Sequence, residues 1–202
     1  MQLGMVGLGR MGANLTRRLM RQGHEVVVHD VDAVAVRTLG REGAVATTSL
    51  QDLVERLAAP RAVWIMVPAA VAGTTADALE DLLAAGDAIV DGGNSYYRDD
   101  VERAERYAAR GIRYLDVGTS GGVHGLDRGF CLMIGGDPET VERLDPIFRA
   151  LAPGIDAAAR TPGREASTRH TTSEAGYLHC GPVGAGHFVK TVSYTHLTLP
   201  TN

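Results

Sequence analysis

The chain has 202 residues, of which 45% are hydrophobic and 22% charged, with a net charge of −4, 25 glycines and two cysteines. That length makes one to two domains with a sizeable core, and the composition excludes a disordered, collagen-like or disulfide-stapled protein. Basic residues are scattered singly, which excludes a nucleic-acid partner and an anionic membrane surface.

Apolar runs alternate with stretches of helical periodicity, the mark of repeated βαβ units and a parallel sheet. The first strand, 2–6, leads into a glycine-rich turn and a helix over 12–22, followed by a strand at 25–29. Next come helix 34–41, strand 44–46, helix 50–57, strand 62–67, helix 75–84 and strand 88–91. Helix 99–109, strands 114–117 and 131–134, and helix 138–150 complete the pattern. Asp32 and Ser49 read as side-chain caps, and Gly23, Gly43, Gly86 and Gly111 as left-handed helix ends. The continuous runs 26–28 and 63–67 lack polar alternation, as strands covered on both faces by helices require. The expected fold is α/β, a doubly wound, mostly parallel sheet. Residues 157–173 read as a loop, 187–192 as a short helix, and 193–202 as a segment that does not continue it.

No apolar run reaches the roughly 18 residues of a membrane span, and no signal-peptide layout precedes the first glycine. A cytoplasmic location is expected. Cys131 and Cys180 lie far apart and outside any CxxC or His-rich cluster, so they read as small interior residues, with no disulfide and no metal site.

Gly7-Leu8-Gly9-Arg10-Met11-Gly12 follows a strand and opens a helix, the context a dinucleotide fingerprint needs. The first glycine permits the turn, the second lets backbone approach a pyrophosphate, and the third allows close helix–strand packing. Asp30 ends the next strand, where a carboxylate accepts from the adenosine ribose hydroxyls and repels a 2′-phosphate. NAD is therefore expected over NADP, with Arg37 as the residue that could still accommodate the latter. The turn Val67-Pro68-Ala69 closes the fourth strand at the edge where cofactors lie.

Two more glycine loops follow strands. Asp91-Gly92-Gly93-Asn94-Ser95 lets backbone pass close to a ligand that Asn94 orients, and Gly118-Thr119-Ser120-Gly121-Gly122 offers a hydroxyl and bare amides to a polyol, carboxylate or phosphate. In Gly184-Ala185-Gly186-His187-Phe188-Val189-Lys190, small residues let a helix start against the sheet and place Lys190 about a turn further on. A lysine in a desolvated site loses its proton readily and serves as general base.

With these motifs together, the chain resembles the decarboxylating 6-phosphogluconate dehydrogenases in their shorter, NAD-preferring bacterial form, over about residues 1–192. The stretches IVDGGNSYYRD at 89–99, DVGTSGGVHGLDRGFCLMIGG at 116–136 and HCGPVGAGHFVK at 179–190 carry the likeness. The resemblance implies that Gly7, Leu8, Gly9, Arg10, Met11, Gly12, Asp30, Val67, Pro68 and Ala69 hold NAD, or NADP, and that Asn94 lies beside both nicotinamide and substrate. It implies that Ser120, Gly121 and Gly122 bind 6-phosphogluconate, that Lys190 is the base, and that the family's full-length protein is a homodimer. His187 is read as a helix-packing residue. The alternatives are another β-hydroxyacid dehydrogenase, such as a 3-hydroxyisobutyrate dehydrogenase, and an NAD-binding module without catalysis.

The family continues its lysine helix with a His-Asn pair and then a Glu-Tyr pair that supplies an acid, and this sequence has neither after Val192. Residues 1–180 are expected to form a Rossmann-type dinucleotide-binding domain and 181–192 the start of a helix toward a missing helical domain. Residues 193–202 are expected to be a non-native tail, and the fragment to be inactive alone.

Overall fold

The computed structural model describes residues 1–160, 163 and 171–198; most of the expected 157–173 loop and residues 199–202 lie outside the described residues. In chain order the elements are β1 (Gln2–Val6), α1 (Arg10–Arg21), β2 (Glu25–His29), α2 (Ala33–Arg41), β3 (Val45–Ala46), α3 (Leu50–Arg56), β4 (Ala62–Ile65) and α4 (Ala69–Glu80). They continue with β5 (Ala88–Asp91), α5 (Tyr97–Ala108), β6 (Arg113–Ser120), α6 (Gly125–Arg128), β7 (Cys131–Gly135), α7 (Pro138–Leu151), α8 (Thr172–Ala175), β8 (Tyr177–Gly181) and α9 (Ala185–Thr198).

The strands form one sheet in the order β3-β2-β1-β4-β5-β6-β7-β8. β1 pairs in parallel with both β2 and β4, so the chain reverses its direction of travel across the sheet after β3. That reversal opens a crevice at the carboxyl ends of β1 and β4, the place where open α/β sheets take ligands. β7 runs antiparallel to β6 and parallel to β8. The doubly wound, mostly parallel expectation is met.

Two apolar cores cover the two faces. Val26 and Val28 pack on one side with Trp64, Leu115 and Phe148, while Val27 points to the other with Ile65, Ile89 and Tyr114. Each such fully buried side chain contributes about 1.5–3 kcal/mol of transfer free energy. The Arg18 guanidinium, on α1, donates to the carbonyls of Ala150 and Ala152 at the end of α7, where intrahelical donors run out, and to that of Leu126 in α6.

Several boundaries differ from the sequence reading for identifiable reasons. α4 begins at Ala69 instead of 75, because its buried stripe is Ala72, Ala76 and Leu79, too small at its start to show as hydrophobic periodicity. β8 was not expected: Tyr177 is buried and Leu178 exposed, so no apolar run marks this edge strand. α9 runs through Thr198, contrary to the expectation that 193–202 would not continue the helix. Ser193 to Thr198 contains no Gly or Pro, and the first breaker is Pro200. Cys131, expected in the interior, is exposed, because it opens β7 opposite Ser120 at the sheet's end; both cysteines are free. The expected caps hold: Asp32 accepts from the Val34 N–H and Ser49 from the Asp52 N–H. Gly23, Gly43 and Gly111 follow α1, α2 and α5 with positive φ as expected; Gly86 also has positive φ but lies in a separate turn, because α4 ends earlier, at Glu80.

Candidate active site and cofactor cleft

A cleft of about 870 Å³ lies over the switch point, lined by the turn after β1, the end of β4, the loop after β5, the end of β6 and one face of α9. Gly9, Arg10, Met11, Val67, Pro68, Ala69, Asn94, Ser120, Gly121, Gly122 and Lys190 all line it, so the expected residues come together. Gly7, Leu8 and Gly12 lie just beneath, buried.

The glycine turn has the shape its spacing implied. Gly7 sits at φ +94° with Met66 closing over it, and a Cβ on Gly12 would overlap the Gly7 carbonyl, so helix and turn can approach only without side chains there. Gly9 faces open space, with nothing within 4 Å of where its Cβ would lie. The first turn of α1 has neither a side-chain cap nor an acidic residue. Its amide groups and dipole therefore remain available to an anion. Asp30 is not a helix cap; Oδ2 accepts from the Leu8 N–H at 2.5 Å and Oδ1 from the Asp32 N–H at 2.7 Å. The carboxylate thus braces the turn and keeps further lone pairs for a ribose. These residues fit a dinucleotide.

The loop after β5 lines the cleft through Gly92, Gly93 and Asn94, and its glycines also answer to the core beneath. A Cβ on Gly92 would run into the Trp64 indole and the Met66 sulfur, and one on Gly93 would lie 3.1 Å from an Asp91 carboxylate oxygen. These glycines leave room for the protein's own core, and their backbone lines the cleft beside Asn94. Asp91, which sequence reasoning passed over, shapes the loop by accepting from the Gly93 N–H, the Ser95 hydroxyl at 2.6 Å and the Tyr114 hydroxyl. Gly121 and Gly122 both have positive φ, and Gly122 faces open space at the cleft wall.

α9 lies tightly on β6 and β7. A Cβ on Gly118 would sit 2.7 Å from the Lys190 Cβ, and one on Gly186 would collide with the backbone of Asp116, Met133 and Gly135. The small residues therefore seat the helix as expected, and Lys190 emerges one turn on. Its Nζ donates to the Asn94 Oδ1 at 2.5 Å. Burial lowers its proton affinity from the ordinary lysine value, against the opposing pull of the Asp91 charge.

Asp116, also missed, caps α9 from β6: its two oxygens accept from the Gly184 and His187 N–H groups, both at 2.7 Å. His187 is buried, as a packing residue would be, but it also holds an ion pair, Nδ1 to Asp100 Oδ2 at 2.7 Å. Ligand atoms of Asp100, Asp116 and His187 lie within 4.8 Å of one another, but the hydrogen bonds just named already engage them. A further sequence signal sets Lys190 apart: it is the sole lysine among the 20 basic residues.

The sequence pattern described as the NAD binding domain of 6-phosphogluconate dehydrogenase matches residues 2–159. The chain belongs to that family. A Haloferax volcanii relative, named an NAD(+)-dependent, decarboxylating 6-phosphogluconate dehydrogenase, is 42% identical over 193 residues, covering 95% of this chain and 57% of its own. The chain thus spans little more than half the length of that curated relative. The Plasmodium falciparum 6-phosphogluconate dehydrogenase, solved apo, with NADP+ and with 6-phosphogluconate, superposes with a TM-score of 0.78 at 22% identity, over 95% of this chain and 39% of that one. A Mycobacterium tuberculosis 3-hydroxyisobutyrate dehydrogenase with L-serine gives 0.79 at 23%, over 97% and 60%. Both structures share the fold. The family is one of NAD(P)-dependent oxidoreductases, and among the described residues no helix is long and apolar enough to cross a membrane.

Proposed function

We propose that this chain is the dinucleotide-binding and base-bearing part of a 6-phosphogluconate dehydrogenase that oxidatively decarboxylates 6-phosphogluconate to ribulose 5-phosphate and CO2. The observation that carries this reading is the Lys190–Asn94 pair at 2.5 Å on the cleft wall opposite the glycine turn. When bound, the nicotinamide supplies the acceptor for the C3 hydrogen and its electron pair. Lys190, its ammonium destabilised by burial, takes the C3 hydroxyl proton, and Asn94 holds the amine and the hydroxyl in line. The resulting β-keto acid releases CO2 because its new carbonyl accepts the electron pair, with protonated Lys190 as donor to that oxygen. Protonation of the enediol at C1 needs a separate acid, which the longer relatives have length to supply. NAD is favoured over NADP because the Asp30 carboxylate stands at the ribose end, next to the fully exposed Val31.

The test is twofold. Isothermal titration should show NAD binding to this chain more tightly than NADP; the reverse order would refute the Asp30 reading. The chain alone should form no NADH from 6-phosphogluconate above a Lys190→Ala control, whereas joined to the C-terminal part of the Haloferax volcanii relative it should. Activity of that fusion on 3-hydroxyisobutyrate and not on 6-phosphogluconate would overturn the substrate assignment.

A further inference from the structure

Beneath the Lys190–Asn94 pair lies a buried polar ring that the proposed chemistry does not use. Asp91 anchors the loop bearing Asn94 and accepts from the Tyr114 hydroxyl at 3.1 Å; the same hydroxyl lies 3.1 Å from Asp100 Oδ1. Asp100 Oδ2 meets His187 Nδ1, and the N–H of His187 meets Asp116. One turn along α9, Lys190 returns to Asn94 and closes the circuit. The loop and the helix that present the two reactive side chains are therefore joined twice, once at the surface and once through the interior.

The interior route is costly to maintain. Asp91, Asp100, Asp116 and His187 are all at most 2% exposed, and three carboxylates share one imidazole, one phenol and, at 3.5 Å from Asp100, the Arg103 guanidinium. The His187 Nε2 has no hydrogen-bond partner among the described residues. An apolar core would seat a helix at less cost, and α9 is already seated by Gly118 and Gly186. The His187–Asp100 bond adds a directional tie between α9 and α5 that the glycine contacts with β6 and β7 do not supply.

We propose that His187, held between Asp100 and Asp116, is a positioning residue that fixes the first turn of α9 and so holds the Lys190 amine against Asn94. The inference rests on the reading of Lys190 as the base. The groups facing His187 are Asp100 with Arg103 from α5, Asp91 from β5, Tyr114 and Asp116 from β6, and Lys190 and Thr191 on its own helix; the Cys180 thiol on β8 lies within electrostatic reach of Asp116. Without the His187 side chain α9 keeps its Asp116 cap and its glycine contacts but loses its tie to α5, so its first turn shifts and Lys190 gains water; Asp100 and Asp116 also lose the imidazolium, and both effects raise the lysine's proton affinity.

Because Lys190 is the only lysine, acetylation by acetic anhydride at a series of pH values, read by mass spectrometry on its peptide, reports that one side chain. His187→Leu should raise the midpoint of Lys190 labelling by about one pH unit. His187→Asn, which keeps a donor near Nδ1, should recover at least half of that shift. A folded His187→Leu chain with an unchanged midpoint overturns the proposal, as does a His187→Asn chain shifted as far as His187→Leu. Should the variants fail to fold, the unaltered chain decides by histidine nitrogen NMR. A His187 ring protonated at Nδ1 and titrating above the ordinary histidine value supports the role, and a bare Nδ1 or a titration at or below that value refutes it. A midpoint at the ordinary lysine value in the unaltered chain would instead refute Lys190 as base; a lowered midpoint that no variant moves refutes the positioning role alone.

Discussion

Gly118→Ala is the smallest change that tests how α9 is seated and what that seating does to Lys190. The added methyl would stand 2.7 Å from the Lys190 Cβ and 2.9 Å from the Gly186 carbonyl oxygen, where ordinary contact begins near 3.4 Å. Neither neighbour is the free end of a side chain, so the helix itself must retreat by about 0.5–1 Å. Overpacking of this kind costs roughly 1–3 kcal/mol, offset by up to about 1 kcal/mol because alanine loses less chain entropy than glycine in a strand. These terms leave a net cost of about 0–3 kcal/mol, and since each kcal/mol moves Tm by about 2–4 °C in a chain of this size, a fall of up to roughly 12 °C, centred near 5 °C, is expected. The same retreat stretches the 2.5 Å Lys190–Asn94 bond to about 3.0–3.5 Å, weakening it, and begins to rehydrate the amine. Differential scanning calorimetry and pH-dependent acetylation of Lys190 read the two consequences together. A variant with unchanged Tm and unchanged labelling would refute the claim that glycine at 118 is there for the helix.

Gly9→Ala should leave Tm within about 1 °C, since its methyl meets nothing, yet weaken NAD binding at least tenfold by calorimetric titration; Gly12→Ala, which collides with the Gly7 carbonyl, should fail to fold. Asp30→Ala removes two backbone contacts and should lower stability by about 1–3 kcal/mol in urea while narrowing the preference for NAD over NADP. Burial disfavours the His187 cation, but the Asp100 hydrogen bond and the Asp100, Asp91 and Asp116 charges outweigh it and raise its proton affinity. The folded chain then keeps a proton that the unfolded chain releases above about pH 6.5, so stabilisation present below that pH is lost as pH rises through the higher folded value. His187→Asn should flatten the decline of Tm with pH; Lys190, whose lowered value acts with opposite sign, is common to both chains. Phe188, Val189 and Val192 leave an apolar strip exposed on α9, and light scattering should detect self-association that Phe188→Ser reduces.

What was legible in the sequence was whatever repeats or breaks a pattern locally. The strand Gln2–Val6 and its turn showed through apolar continuity followed by three glycines, and Asp32 and Ser49 through the capping chemistry of their own helices. The cleft residues could be named because each glycine loop follows a strand, and in a parallel sheet the strand ends converge. The ring of Asp91, Asp100, Tyr114, Asp116 and His187 was not legible. Its members come from β5, α5, β6 and α9, and Asp100 meets His187 across 87 positions. In sequence Asp100 is one more acid in the first turn of a helix, where acids are common for dipole reasons alone. Asp116 sits between the apolar Leu115 and Val117 in mid-strand and was the one local anomaly: a buried carboxylate there must find partners, and it finds the start of α9.

The choice of lysine at 190 completes that argument. Every other lysine-or-arginine position in the chain is arginine, and among the described residues arginine serves structure at Arg18, which grips three carbonyls, and at Arg61, which pairs with the buried Asp87. Were position 190 only a donor to Asn94, a guanidinium would do the same work with more hydrogen bonds. Its charge, however, is permanent, whereas an ammonium gives up its proton when it is desolvated. The geometry makes use of that difference: burial destabilises the Lys190 cation while Asp91, fully engaged by Gly93, Ser95 and Tyr114, pulls the other way, so the balance depends on how far the helix brings the amine from water. A Lys190→Arg chain should therefore fold and bind NAD as before and, in the fusion that turns over 6-phosphogluconate, lose activity as completely as Lys190→Ala; substantial turnover by the arginine variant would mean that the residue holds the substrate and does not carry its proton.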